Sequence, residues 1–351
     1  MWTLIVTHWP HILAVASTLI AAVAAAHAAM TKDEVRAAIG WVGVILLSPL
    51  IGALLYAVAG INRIRRVSIA AERSAAGHEM PEHPRFDATA DAVASRFGRR
   101  FAALKIAGDR ITHHALTTAN AVTMLETGDE AYAAMIAAIA AARRSVVLET
   151  YIFDRDPIGL RFADVLIDAA RRGVAVRVLV DAVGARYSVP SIVGRLREGG
   201  VTTRVFNGRI ITGLRLPYAN LRTHRKILVV DGAVGFVGGM NIRQGFTAEF
   251  AGAAMARDTH FRVEGPVIAD LFSVAAEDWY FASGARLHGE AWRIAPEAAG
   301  EPGSAVFARA LPSGPDASLE ANHKMLMGAF SVARRSIRIM SPYFLPDREL
   351  I

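Results

Sequence analysis

Five residue types stand at a spacing that suits phosphate chemistry: His224-x-Lys226-x4-Asp231-x6-Gly238-x2-Asn241. An imidazole can attack a phosphodiester phosphorus and hold the group covalently, which splits one hard displacement into two easier ones. An ammonium on the same face of the chain can hold the non-bridging oxygens and offset the charge of a pentacoordinate transition state. Gly238 and Gly239 would let backbone amides approach a phosphate, and Asn241 could donate to an oxygen without adding charge. Asp231 completes this catalytic set. It lies an odd number of residues from His224 and at an Asp-Gly turn, so it is expected to organise the hairpin rather than to act as a base.

The elements that must position these groups are a polar strand running into an apolar one, the turn at Asp231-Gly232, a second short strand and a glycine-rich loop. Residues two apart share a strand face, so Asn220, Arg222, His224 and Lys226 are expected to point one way, with Asn220 and Arg222 as further phosphate ligands. Glu149 interrupts an apolar strand. Buried alone it would be costly, so it is expected to meet an arginine or the histidine at the substrate site. Asp258, His260 and Arg262 also alternate, which places them either beside the phosphate or on an ordinary polar sheet face.

Around the motif, helices alternate with apolar strands from about residue 128 to residue 281, which argues for a layered α/β domain. Strands are expected over 145–153, 174–181, 201–206 and 259–263, with helices over 130–144, 159–172, 193–198 and 267–281. The segment 142–150 has a counterpart in 333–341, Phe153 matches Phe344, and the preceding helices match as well. This internal repeat, offset by 191 residues (333 − 142), implies a second lobe that begins near 319. Its copy of His224 would fall near position 415, so the chain reads as a fragment of a longer protein or as half of a dimer. The resulting division is 1–66, a transmembrane hairpin; 67–120, a linker and connecting helix; 121–294, the first lobe; 295–318, a linker; and 319–351, the start of an incomplete second lobe.

Apolar residues make up 53% of the 351, high for a soluble chain, and two apolar runs at about 11–30 and 38–61 each meet the length of a spanning helix. The basic cluster Asn62-Arg63-Ile64-Arg65-Arg66 follows the second run. The positive-inside rule then places the bulk of the chain, and the N-terminus with it, in the cytoplasm. A cleaved signal peptide is the alternative for the first run, but no basic segment precedes it. The net charge of +7 suits an anionic partner, and the absence of cysteine excludes disulfides and thiolate metal sites.

The motif resembles the signature of the phospholipase D superfamily. Its surroundings are similar to bacterial cardiolipin synthases: the two apolar runs, Leu148-Glu149-Thr150-Tyr151-Ile152-Phe153, Arg222-x-His224-Arg225-Lys226, Gly238-Gly239-Met240-Asn241-Ile242, the segment 257–266, Asp278-Trp279 and the segment 341–346. The resemblance implies a phospholipase D-like layered α/β sheet with flanking helices behind a two-helix transmembrane hairpin. It implies phosphatidyl transfer between two phosphatidylglycerol molecules through a phosphohistidine, giving cardiolipin and glycerol at a bacterial inner membrane. Two such motifs meet in this family, one histidine as nucleophile and the other as general acid, so the expected partners are an anionic phospholipid, the membrane, and a second lobe or second copy. No metal, cofactor or nucleic acid is expected. Gln244-Gly245 stands where many relatives are acidic, which leaves acceptor choice open. The alternatives are a phospholipase D-type hydrolase, a membrane-tethered nuclease, and an inactive membrane-anchored fragment.

Overall fold

The computed structural model describes residues 2–32, 35–60, 85–112, 114–206, 222–295, 297–299, 306–313 and 321–341. The chain forms two compact units, one of residues 1–65 with 215–218 and one of the remainder.

The N-terminal unit opens with α1 (Trp2–Thr31). Its stretch His8–Thr31 is, among the described residues, the one helix long and apolar enough to cross a membrane. The second apolar run is not the single unbroken helix that its length predicts. It makes α2 (Val35–Leu47), bends at Ser48 (φ −144°, ψ 80°) and returns as α3 (Pro49–Leu55) with a π turn over Tyr56–Gly60. Proline has no amide hydrogen to continue the ladder, and its ring clashes with the preceding turn, so the helix stops there. The legs close on one another at Gly52, where a Cβ would collide with the Val44 carbonyl.

The second unit is built on an eight-stranded mixed sheet. Helices α4 (Ala90–Phe97) and α5 (Arg99–Thr112) precede β1 (Thr117–Leu125). Then come α6 (Gly128–Ala141), β2 (Ser145–Thr150), α7 (Pro157–Arg171), β3 (Ala175–Asp181), α8 (Ile192–Glu198) and β4 (Thr202–Phe206). After residue 221 follow β5 (Ile227–Val230), β6 (Val234–Gly238), α9 (Ala248–Ala251), β7 (His260–Glu264), α10 (Val267–Ser283), β8 (Val306–Ala308) and α11 (Ala321–Val332). The strand order is β4-β3-β2-β5-β6-β7-β1-β8. β2, β3 and β4 run parallel, joined through α7 and α8, and the other pairs are antiparallel.

Every residue of β2 and β5 is buried, as expected of strands covered on both faces. Tyr132, Met135 and Ile139 of α6 pack with Phe162 and Leu166 of α7 and Leu196 of α8 over one face. Helix α10 runs along the sheet with Val267, Ile268, Val274 and Trp279 buried. Arg177 of β3 lies 5.8 Å from the Trp279 ring and 5.6 Å from that of Trp292, a cation–π contact to both. Two strands lie where the sequence predicted connections: β1 crosses the expected boundary at 120, and β8 sits inside the expected linker at 295–318 and pairs with β1. Residues 336–341, the expected strand of the repeat, are exposed and pair with no strand.

Candidate functional site

The carboxyl ends of parallel β2 and β3 and the amino end of antiparallel β5 meet at one edge of the sheet, the position where open α/β sheets hold ligands. Residues Arg222–Lys226 enter β5 there without joining the ladder themselves, so the strand expected over 220–226 begins only at Ile227. The alternation nonetheless persists in their partners. His224 is exposed, and its ring lies 4.2 Å from that of Tyr151, tilted by 32°. Lys226 is 9% exposed, bonds the His224 carbonyl at 2.7 Å, and sits 5.5 Å from the same tyrosine ring. Thr223 and Arg225 turn the other way. The Thr223 hydroxyl donates to Glu149, and the Arg225 guanidinium pairs with Asp278.

These environments set the protonation states. Burial, and then the charge of Lys226, lower the His224 pKa below its usual 6.5 against a smaller pull from Asp181, so the ring is neutral near pH 7. Burial pushes Lys226 down to about 8, resisted chiefly by the charge of Asp258. The site therefore offers a neutral, nucleophilic imidazole beside a cation that is charged at neutral pH but not far above it. Asp181, fully buried at the end of β3, accepts from the Thr223 amide at 3.2 Å and the Val183 amide at 2.8 Å and so fixes the approach of the segment.

Glu149 does not meet the histidine. It is 0% exposed and lies across from Ile227, on the face opposite His224. Burial, and next the neighbouring Asp278, hold its carboxyl protonated well above the usual carboxylate range. Thr223 thus bonds Glu149 while Arg225 pairs with Asp278, and Asp278 lies close enough to Glu149 to raise its pKa. Glu149, buried underneath the segment and bonded to Thr223, is a support for it, not a phosphate ligand.

Asp231 lies at the far end of β5. Its carboxylate accepts from the amides of Arg143 (2.8 Å), Arg144 (2.7 Å) and Ser145 (2.9 Å), and its own amide donates to the Ser145 carbonyl at 2.8 Å. Its φ of 53° is the left-handed conformation that the tight β5–β6 turn requires. With three donors on its two oxygens, and with β5 between it and His224, it ties the hairpin to the start of β2 and is not placed to move a proton at the histidine.

The glycines serve a purpose other than the expected one. A Cβ at Gly238 would lie 2.6 Å from His260 Nδ1, and one at Gly239 would strike the Asp258 carboxylate. The Gly239 amide already donates to the Thr259 carbonyl at 3.1 Å, so it is not aimed at a substrate. The glycine pair lets the segment before β7 come close, and that brings Asp258 into electrostatic range of Lys226. His260 is buried with no hydrogen-bond partner on either ring nitrogen, and burial drives its pKa to about 4. Arg262 turns away to pair with Glu264 at 2.9 Å. Asn241 accepts from the Ile152 amide at 3.0 Å through Oδ1, which leaves its NH2 as the donating end. The same loop is closed onto the segment after β2 by Ile242 donating to Ile152 O (3.1 Å) and Asp154 donating to Ile242 O (3.0 Å).

Arg222 is half-buried; burial raises the pKa of both Asp181 and Tyr151, and the Arg222 charge offsets part of each rise. Asn220 lies outside the described residues. A cavity of about 750 Å³ opens beside the segment, with Arg222, His224, Lys226 and Arg309 as its polar wall and Leu271, Val274 and Leu311 as its apolar one. Sequence reasoning missed Tyr151 and Asp181 as neighbours of His224. The available signal was their position at the carboxyl ends of two predicted strands.

A family model described as cardiolipin synthase, PLD-like domain matches residues 135–268, and one described as phospholipase D-nuclease N-terminal matches residues 19–60. The chain is 33% identical over 336 residues to cardiolipin synthase A of Pseudomonas putida (strain GB-1), covering 94% of this chain and 67% of that one. It belongs to the cardiolipin synthase family. Cardiolipin synthase A of Pseudomonas aeruginosa (strain LESB58) is also 33% identical, over 94% of this chain and 66% of its own length. The cardiolipin synthase of Geobacillus kaustophilus is 34% identical over 69% of this chain and 48% of its own length. The chain thus spans from about half to about two thirds of the length of these curated relatives.

Proposed function

We propose that the chain supplies the nucleophilic half of a phosphatidyltransferase site that makes cardiolipin and glycerol from two phosphatidylglycerol molecules. The observation that carries this reading is an exposed His224, its pKa lowered, whose ring meets Tyr151 while Lys226 contacts the same tyrosine and the His224 carbonyl. An imidazole nitrogen attacks the phosphorus of the first phosphatidylglycerol, and the bond from phosphorus to the terminal glycerol oxygen breaks. That oxygen takes a proton and leaves as glycerol, while the phosphatidyl group stays on His224. A hydroxyl of a second phosphatidylglycerol then loses its proton, attacks the phosphorus and releases the histidine. Lys226, with Arg222 and the NH2 of Asn241, holds the non-bridging oxygens as negative charge builds. The proton donor and later acceptor is assigned to a second motif of the same kind, in the same polypeptide or in a partner copy.

The mixed walls of the cavity suit a phospholipid, with cations for the phosphate and Leu271, Val274 and Leu311 for the start of the acyl region. The relatives named as cardiolipin synthases support transfer over hydrolysis. The two part on the acceptor, which is a lipid hydroxyl in one and water in the other. Lipids resolved after incubating the membrane-reconstituted protein with phosphatidylglycerol test this: cardiolipin with glycerol is expected, and phosphatidic acid without cardiolipin would assign the site to hydrolysis.

A further inference from the structure

We propose that the N-terminal unit crosses the bilayer once, through α1, and that α2 and α3 form a re-entrant hairpin that enters and leaves on one side. Residues 8 and 35 would then lie on opposite sides of the membrane, and the chain from residue 61 onward on the side of residue 35.

The contacts of Tyr56 and Gly60 show the direction of the return. Were α2 and α3 one bent span antiparallel to α1, Tyr56 would lie toward the start of α1. Instead its hydroxyl bonds His27 Nδ1 at 2.7 Å and lies 3.3 Å from the Thr31 hydroxyl, near the end of α1. Its ring meets Trp41 edge-on at 5.5 Å. The Lys32 ammonium bonds the Gly60 carbonyl. Ala21, Ala28, Ile45 and Tyr56 form one core, so both short legs pack on the last part of α1.

Length agrees. Thirteen residues of α2 reach roughly 20 Å, short of the roughly 30 Å hydrocarbon core. The bend is apolar and outward-facing, with Leu46, Leu47, Leu50 and Ile51 between 45% and 89% exposed, as suits a tip in acyl chains and not one in water. The bend keeps Ser48 N bonded to Val44 O at 3.2 Å and Gly52 N to Ser48 O at 2.6 Å, and Pro49 has no donor to leave unsatisfied.

Charge agrees independently. Within positions 1–66 every Asp, Glu, Lys and Arg falls in 32–36 or 63–66. Two full spans would put these clusters on opposite faces, with Lys32 and Arg36 outside. The folded-back hairpin brings both to one face and leaves the other without Asp, Glu, Lys or Arg, and with Trp2, His8, Trp9 and His11 near the level where aromatic residues sit in an interface. The positive-inside rule then makes the shared face cytoplasmic and the N-terminus external.

The chain has no cysteine, so single substitutions report position without a background. His8→Cys, Val35→Cys, Leu47→Cys and, as a marker of the second unit, Arg171→Cys are treated with a membrane-impermeant maleimide in right-side-out and inverted vesicles. All four positions are exposed side chains, and Ser48→Cys serves as a second tip variant. Val35→Cys and Arg171→Cys are expected to label from one side, His8→Cys from the other, and the tip variants at least tenfold more slowly from both. Labelling of Val35→Cys from the face opposite Arg171→Cys, with His8→Cys on the Arg171 face, would establish two spans and overturn the proposal. So would rapid labelling of both tip variants from water.

Discussion

The two faces of Thr223–Lys226 carry the same kinds of group, but in opposite circumstances. On one face His224 and Lys226 meet the Tyr151 ring, Lys226 bonds the His224 carbonyl, and both border a cavity that Thr223 and Arg225 also line. On the other, Thr223 and Arg225 are consumed by Glu149 and Asp278 beneath the sheet. Polar groups kept under-satisfied are available to a substrate, and polar groups satisfied by one another hold a backbone still. Chemistry and rigidity are thus divided between odd and even positions of four residues.

That division is open to attack from either face. The largest effect is expected from His224→Ala, which should lower turnover by on the order of 10⁴-fold or more, as removal of a covalent nucleophile does, while leaving the melting temperature unchanged. Lys226→Ala should reduce kcat by roughly 10²- to 10³-fold, the scale of a lost oxyanion donor. On the buried face the order reverses. Asp278→Ala breaks a largely buried ion pair with Arg225 and should cost about 3–5 kcal/mol of stability in denaturant titrations. A variant that kept full stability and lost only activity would show that the network belongs to the chemistry instead.

Two pH profiles sharpen the same contrast. For kcat/KM, the acid limb should fall below the ordinary histidine value of 6.5, because His224 is lowered, and the alkaline limb should set in near pH 8 as Lys226 loses its proton. For stability, the raised Glu149 pKa means that the folded state holds a proton which the unfolded state releases above 4.5. Stability attributable to this group is therefore full below pH 4.5 and declines as pH rises toward the folded value. Glu149→Gln should flatten that decline with the smallest effect on turnover, and an unchanged slope would remove Glu149 from the buried proton account.

What the sequence disclosed follows from which signals are local. The motif spacing, the apolar strands β2, β3 and β5 and the amphipathic α7 are periodic patterns within short windows, and the chain was read closely there. The expected linker ends at 120, inside β1, because Thr117–Leu125 lacks a run of apolar residues; in the structure the strand is half-exposed, with Ala119 at φ 61°. Its place in the sheet comes from pairing with β7 and β8, more than 130 residues away. Gly238 and Gly239 were read as phosphate-facing because a glycine does not announce what it makes room for; here it is His260 and Asp258. Tyr151 reaches His224 only because parallel β2 and antiparallel β5 bring their ends together. The apolar run at 38–61 carries the length of a span, and Pro49 alone, a residue that spanning helices tolerate, could not reveal that it turns back.

The central claim is that His224 takes the phosphatidyl group. The direct measurement is mass analysis of the peptide around residue 224 after rapid quench at alkaline pH, which preserves phosphohistidine, from the reconstituted protein mixed with phosphatidylglycerol. A phosphatidyl adduct on His224, absent in His224→Gln, is the expected result. Turnover that continues unchanged in His224→Gln, or an adduct on any other side chain, would contradict it.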